Sequence, residues 1–92
     1  MATELIPSGK NAATSADFTI DDGSVANVFL KTPADTGVDV DAVFVEIKGD
    51  DASYTQIGIL GAKLKGVTIQ GPGIFRVRRA DGLRNSAGVS RA

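Results

Sequence analysis

From Asp17 to Arg79 the chain is a succession of short runs rich in Val, Ile, Thr and Phe, each closed by a cluster of Gly, Asp or Pro. That spacing belongs to all-β domains, because β-branched and aromatic side chains suit a pleated surface while Gly, Asp and Pro set turns. No segment sustains a 3.6-residue apolar period, so helices are expected to be minor. Six or seven short strands within about 63 residues bury a core only by folding as an antiparallel sandwich or a small barrel, and a sandwich is the expected form.

The strands are read from alternation. Phe18 and Ile20 alternate with Asp17 and Thr19, and Asp21-Asp22-Gly23-Ser24 follows as hairpin-type turn chemistry. Residues 25–31 place Ala26, Val28 and Leu30 on one face and Val25, Asn27 and Phe29 on the other. Apolar groups on both faces suggest a strand covered by the core on one side and by something else, such as a neighbouring subunit, on the other. Residues 32–37 read as a turn and residues 38–41 as a further short extended piece. In residues 42–48, Val43, Val45 and Ile47 project one way while Phe44, Glu46 and Lys48 project the other. Residues 54–60 form a fourth strand, in which Gly58 and the adjacent Gly61 signal a bulge or a close backbone approach. Residues 64–70 form a fifth, Gly71-Pro72-Gly73 a tight corner, and residues 74–79 a sixth with Arg76 and Arg78 outward. The expected core is Phe18, Ile20, Val28, Leu30, Val43, Val45, Ile47, Ile57, Ile59, Val67, Ile69, Phe75 and Val77.

The flanks differ in character. Residues 1–16 are small and polar apart from Leu5 and Ile6, and Pro7 and Gly9 interrupt any regular element, so an N-terminal arm is expected, laid across a neighbour or mobile. Residues 80–92 read as a Gly/Ser/Ala/Arg tail. The chain therefore divides into an arm (1–16), a β-sandwich domain (17–79) and a tail (80–92). The opening Met1-Ala2-Thr3-Glu4 has no basic stretch followed by an apolar core, so no secretory signal is expected, and no apolar run approaches the roughly 20 residues of a membrane helix. A soluble chain is expected.

Ninety-two residues are enough for one small domain, which buries only about 60–65% of its unfolded surface and so gains from self-association. With no cysteine and no histidine, disulfides, thiolate chemistry and the usual zinc sites and triads are excluded. Net charge is −1, yet residues 1–51 hold three lysines against ten acids, and residues 52–92 hold seven basic residues against Asp81 alone. Either the molecule has an acidic and a basic face that attract other copies, or strands from the two halves interleave and the charges average out.

Chemistry-bearing motifs are sparse. Asp21-Asp22 and Asp50-Asp51 are paired carboxylates of the kind a glycosidase uses, but adjacent Asp residues in turns are first of all turn formers. Asp35, Asp39 and Asp41 offer oxygen ligands to a hard cation without the EF-hand pattern, and no metal site is assigned. Gly71-Pro72-Gly73 lacks the Lys-Ser/Thr ending and following helix of a phosphate loop. Arg76, Arg78 and Arg79 form the densest basic cluster, yet few aromatics are free to stack on bases, so nucleic-acid binding is not expected. With no Trp and one Tyr the chain is badly equipped to stack on sugars. Neither catalysis nor a cofactor is expected.

Taken in order, Asp17-Phe18-Thr19-Ile20, Val28-Phe29-Leu30-Lys31, Val45-Glu46-Ile47-Lys48, Tyr54-Thr55-Gln56-Ile57-Gly58 and Gly71-Pro72-Gly73-Ile74-Phe75-Arg76-Val77 resemble small structural virion proteins of tailed bacteriophages. The likeness covers residues 17–79, and its most specific part is the Gly-Pro-Gly-x-Phe-Arg-Val end with the upstream Phe-Leu-Lys strand. The resemblance implies a compact β-sandwich that decorates or cements the outer capsid surface, binding the major capsid protein and bridging capsomers. A component of the tail, collar or fibre is the alternative. It implies no catalytic residues, no nucleic acid and no membrane, and a place on the virion after synthesis in the bacterial cytoplasm. Under this reading Leu5 and Ile6 anchor the arm, Phe29 and Phe44 fill an intersubunit seam, and Arg76, Arg78 and Arg79 pair with acids. A homotrimer is the expected assembly, with a dimer next.

Overall fold

A computed structural model describes residues 3–31 and 39–92. Among the described residues nine strands follow one another without a helix: β1 (Thr3–Gly9), β2 (Ala13–Thr14), β3 (Phe18–Ile20), β4 (Val25–Lys31), β5 (Val43–Lys48), β6 (Tyr54–Leu60), β7 (Gly66–Gln70), β8 (Gly73–Arg79) and β9 (Ala87–Arg91). They build two antiparallel sheets, one in the order β1-β9-β4-β7 and one in the order β2-β8-β5-β6, with β3 also pairing with β8. The fold is the expected small β-sandwich. The expected turn at residues 32–37 and Val38 of the extended piece lie outside the described residues, and residues 39–41 form no strand.

The core sits between the sheets. Phe18, Ile20, Val28, Val43, Val45, Ile69, Phe75 and Val77 are buried as alternation requires, and Leu30, Ile47 and Val67 pack at its margin. Ile57 and Ile59 do not belong to it, being 50% and 37% exposed. The reason is a bulge. Val45 faces Gly58 but Glu46 faces Gln56, so Ile57 is an extra residue that shifts the phase of β6. Beyond it Gly58 and Leu60 point inward, and Leu60 takes the core position while Ile59 turns outward opposite Phe44.

Both terminal segments are strands. β9 lies between β1 and β4 in the middle of its sheet, with Ala87, Gly88, Val89 and Ser90 all buried. Its residues are small because β1 passes close by: a Cβ on Gly88 would stand 2.8 Å from the Ile6 carbonyl oxygen. Residues 80–92, expected as a tail, therefore hold a small-residue central strand. The expected N-terminal arm likewise contains a strand, β1. Ile6 is 1% exposed and fills the core, while Pro7 is accommodated because β1 is an edge strand with two register shifts.

The Asp-Gly turn forms, with Ser24 N–H donating to the Asp21 carbonyl at 3.0 Å and Gly23 at φ +79°. It does not make a hairpin, since β3 and β4 belong to different sheets. The chain instead crosses the sandwich there, and Gly71 crosses back beside it. A Cβ on Gly71 would lie 2.3 Å from the Asp21 carbonyl oxygen, an approach that glycine alone allows. These crossings interleave the two halves of the sequence: β4 lies between β7 and β9, and β5 between β6 and β8. The acid-rich and base-rich halves thus meet within each sheet.

Candidate assembly surface

Because Phe75, Val77 and Arg79 of β8 face inward, Arg76 and Arg78 face outward, and the same alternation on β5 presents Phe44, Glu46 and Lys48. Register then sets the neighbours. Glu46 lies opposite Arg76, and Phe44 opposite Arg78. Glu46 Oε1 accepts a hydrogen bond from Arg76 Nε at 2.7 Å, and its Oε2 lies 3.5 Å from Arg78 Nε, so one carboxylate serves two guanidinium groups. Glu46 is only 7% exposed, which these two cations make tolerable. The hydrogen bond to Glu46 also raises the Arg76 pKa above its ordinary value.

Each arginine is further fixed by an aromatic ring. The Arg76 guanidinium carbon stands 3.4 Å from the centroid of Tyr54, and that of Arg78 stands 4.7 Å from the centroid of Phe44. The Tyr54 hydroxyl donates to Asp17, 2.9 Å from either carboxylate oxygen, and Lys48 Nζ lies 3.7 Å from the same carboxylate. One continuous network therefore runs across the outer face of the five-stranded sheet from Asp17 to Phe44. Exposed Ile59 and Ile74 flank it, at 37% and 39%. The Arg78 side chain is 42% exposed, so its guanidinium is stacked yet open to an incoming carboxylate.

Of the seven residues singled out from sequence, Phe44, Arg76 and Arg78 meet on this face. Phe29 lies on the outer face of the opposite sheet, beside Gly66 and Ser90. Leu5 is half-buried against the core and Ile6 is within it, so neither is a free anchor. Arg79 points inward and is 6% exposed, and its partners are carbonyls rather than acids: Asn11 at 2.6 Å from Nε, and Pro7 and Ala87 at 2.6 and 2.8 Å from Nη1. It follows Arg78 in sequence, but alternation sends it to the other side of the sheet. Sequence reasoning placed Glu46 outward without its partners and missed Tyr54 and Asp17 as members of the face. Outward alternation on β5 and β8 was the available signal, and the register joining them was not.

Asp39, considered as a cation ligand, is engaged elsewhere. It accepts from the Arg84 N–H at 2.9 Å, the Asn85 N–H at 3.1 Å and Asn85 Nδ2 at 3.2 Å. The Arg84 N–H holds its carboxyl below the usual aspartate value against the opposing effect of desolvation, and Asn85 and the Arg84 charge add to the lowering. Asp35 lies outside the described residues. Among the described residues no group of three or more His, Cys, Asp or Glu is placed to hold a metal ion. Nor is any helix there long and apolar enough to cross a membrane.

No family model, curated protein or solved structure matches this chain.

Proposed function

We propose that this chain is a structural virion protein of a tailed bacteriophage, a capsid decoration or cement protein that binds the outer surface of the head and bridges capsomers. The resemblance of residues 17–79 to that group supports the reading. The observation that carries it is the row Phe44–Arg78–Glu46–Arg76–Tyr54, a rigid face of stacked arginines and aromatics flanked by exposed isoleucines. Aromatic and arginine side chains dominate the energetics of protein interfaces, and side chains already fixed lose little entropy on docking. Such a face binds and holds; it transforms no substrate. A modest energy per copy becomes large when symmetry repeats the contact over the head, because each bridging molecule meets its second site at high effective concentration.

The test is co-sedimentation with expanded capsids of the virus that encodes the chain. Arg78→Glu and Phe44→Ala are each expected to weaken binding tenfold or more, about 1.4 kcal/mol. Asn27→Ala, on the outer face of the opposite sheet, is expected to leave binding intact. Absence of binding by the unaltered chain, or equal binding by all three variants, would overturn the proposal.

A further inference from the structure

Natural proteins guard exposed sheet edges with charged residues, proline or bulges. On one side of the sandwich β1 carries Glu4 and Pro7, and Asp17 and Asp21 flank β3. On the other side β6 is guarded by the bulge at Ile57, which reverses the side-chain phase along the strand and denies it a regular partner. β7 has no such guard. Its residues, Gly-Val-Thr-Ile-Gln, contain no charge and no proline, its register is unbroken, and among the described residues it pairs only with β4.

Half of the β7 main chain is unused. Asn27 of β4 exchanges both of its main-chain bonds with Ala92, at 3.0 and 2.9 Å, so Ala26 and Val28 are the residues that turn theirs toward β7. They engage Ile69 and Val67, which leaves the N–H and C=O groups of Gly66, Thr68 and Gln70 directed at the open edge. The side chains alternate as well: Val67 and Ile69 turn to the core, and the Thr68 hydroxyl turns outward to Asn27 at 2.7 Å. Beside them the core is uncovered. Gly58, the inward position of β6 opposite Val45, carries no side chain, and a Cβ there would meet nothing closer than Val45 at 3.8 Å. A cleft of about 310 Å³ opens over it and reaches Val45, Ile47 and Phe75. An apolar cavity of about 150 Å³ holds one benzene ring, so this cleft has room for two aliphatic side chains.

The two ends of β7 differ in charge. Exposed Lys63 and Lys65 precede Gly66. At the other end Gly71 packs against the Asp21 carbonyl, so exposed Asp21 and Asp22 border Gln70. A strand laid antiparallel to β7, the sense of every pair in this fold, begins beside the aspartates and ends beside the lysines.

We infer that β7 is an acceptor edge for an extended segment of a partner protein, laid antiparallel along Gly66–Gln70 with two aliphatic side chains in the cleft. In such strand addition main-chain hydrogen bonds supply affinity, and pockets for alternate side chains supply specificity. The aliphatic residues face Ile69 and Val67 and so stand two positions apart. A basic residue two positions before them meets Asp21 and Asp22, and an acidic residue two positions after them meets Lys65. A lone segment suits this edge better than a second sandwich, because another copy brought alongside β7 also brings its β6 against this one, where the bulge prevents pairing. The edge is separate from the Arg76/Arg78 face, and the inference does not depend on the capsid reading.

The probe is a synthetic peptide, acetyl-Arg-Thr-Val-Thr-Ile-Thr-Glu-amide, titrated into the isotope-labelled chain and followed by amide NMR. It is expected to bind with a Kd below about 1 mM and to shift the Gly66, Thr68 and Gln70 amides. The peptide with its Arg and Glu exchanged is expected to bind at least tenfold more weakly, and Lys65→Glu is expected to shrink that preference. Gly58→Leu fills the cleft, and Thr68→Pro removes an outward N–H at an edge position where proline is tolerated. Each, confirmed folded by circular dichroism, is expected to weaken binding at least tenfold. Three results would overturn the inference: no shift of those amides at about 5 mM peptide, equal affinity for the two peptides, or the same shifts on concentrating the free chain, which would give the edge to a second copy.

Discussion

The guanidinium of Arg79, near the end of β8, donates to the carbonyl of Pro7 in β1 at 2.6 Å, across 72 positions of sequence. Two further bonds, to Asn11 and Ala87, tie the same side chain to the β1–β2 connection and to β9. Gly9 makes room for it, since a Cβ there would stand 2.8 Å from Nη2. A buried cation is thus compensated by three carbonyl dipoles, and it locks both terminal segments onto the sandwich.

Removing it leaves those carbonyls without their donor. Arg79→Met is expected to cost about 3 kcal/mol or more, at roughly 1–3 kcal/mol for each buried polar group left unpaired. Arg79→Lys keeps the charge but not the planar fork, and is expected to recover less than half of the loss. Urea denaturation of the two variants checks both values.

Ile6 distinguishes a packed strand from a free arm. At 1% exposure, Ile6→Ala is expected to destabilise the chain by about 2–5 kcal/mol, whereas the same change in an unattached arm would cost almost nothing. Amide hydrogen exchange gives an independent reading, with Val89 in the central β9 expected among the slowest amides.

The bulge in β6 makes a paired expectation. Leu60→Ala is expected to cost about 2–5 kcal/mol and Ile57→Thr less than about 1 kcal/mol, measured on the monomer by thermal or urea unfolding. Equal costs would mean that the strand keeps regular alternation.

Asp39 and Asp51 give the pH dependence. Hydrogen bonds lower both pKa values, from the Arg84 N–H first at Asp39 and from the Ser53 hydroxyl first at Asp51. A carboxylate whose folded pKa is depressed contributes stability that is complete above its unfolded pKa and lost as pH falls through the folded value. Stability is therefore expected to hold flat at neutral pH as far as these two groups are concerned, and to fall below the ordinary aspartate value of 3.8. Carboxyl chemical shifts followed by NMR check the midpoints, and the Arg84 and Asn85 amides should move with Asp39.

Alternation made six strands and most of the core legible, because Phe18/Ile20, Val43/Val45 and Phe75/Val77 obey a period of two over stretches without a bulge. It failed at Ile57 because one inserted residue reverses which side chains point inward. It failed at β9 because β1 passes so close beside this central strand that it holds mostly small residues, which look like a tail. The candidate face was legible as two separate outward rows on β5 and β8. What joins Glu46 to both arginines, and Tyr54 to Asp17, is cross-strand register, which no single segment encodes. Arg79 shows the same limit: its charge pointed to the surface, while its position one residue after Arg78 pointed inward.

Electron microscopy of purified particles locates the domain. Density for it is expected at many symmetry-related positions on the head, with the Phe44, Arg76 and Arg78 face against the capsid. Heads without it, or copies confined to a single vertex, would contradict that account.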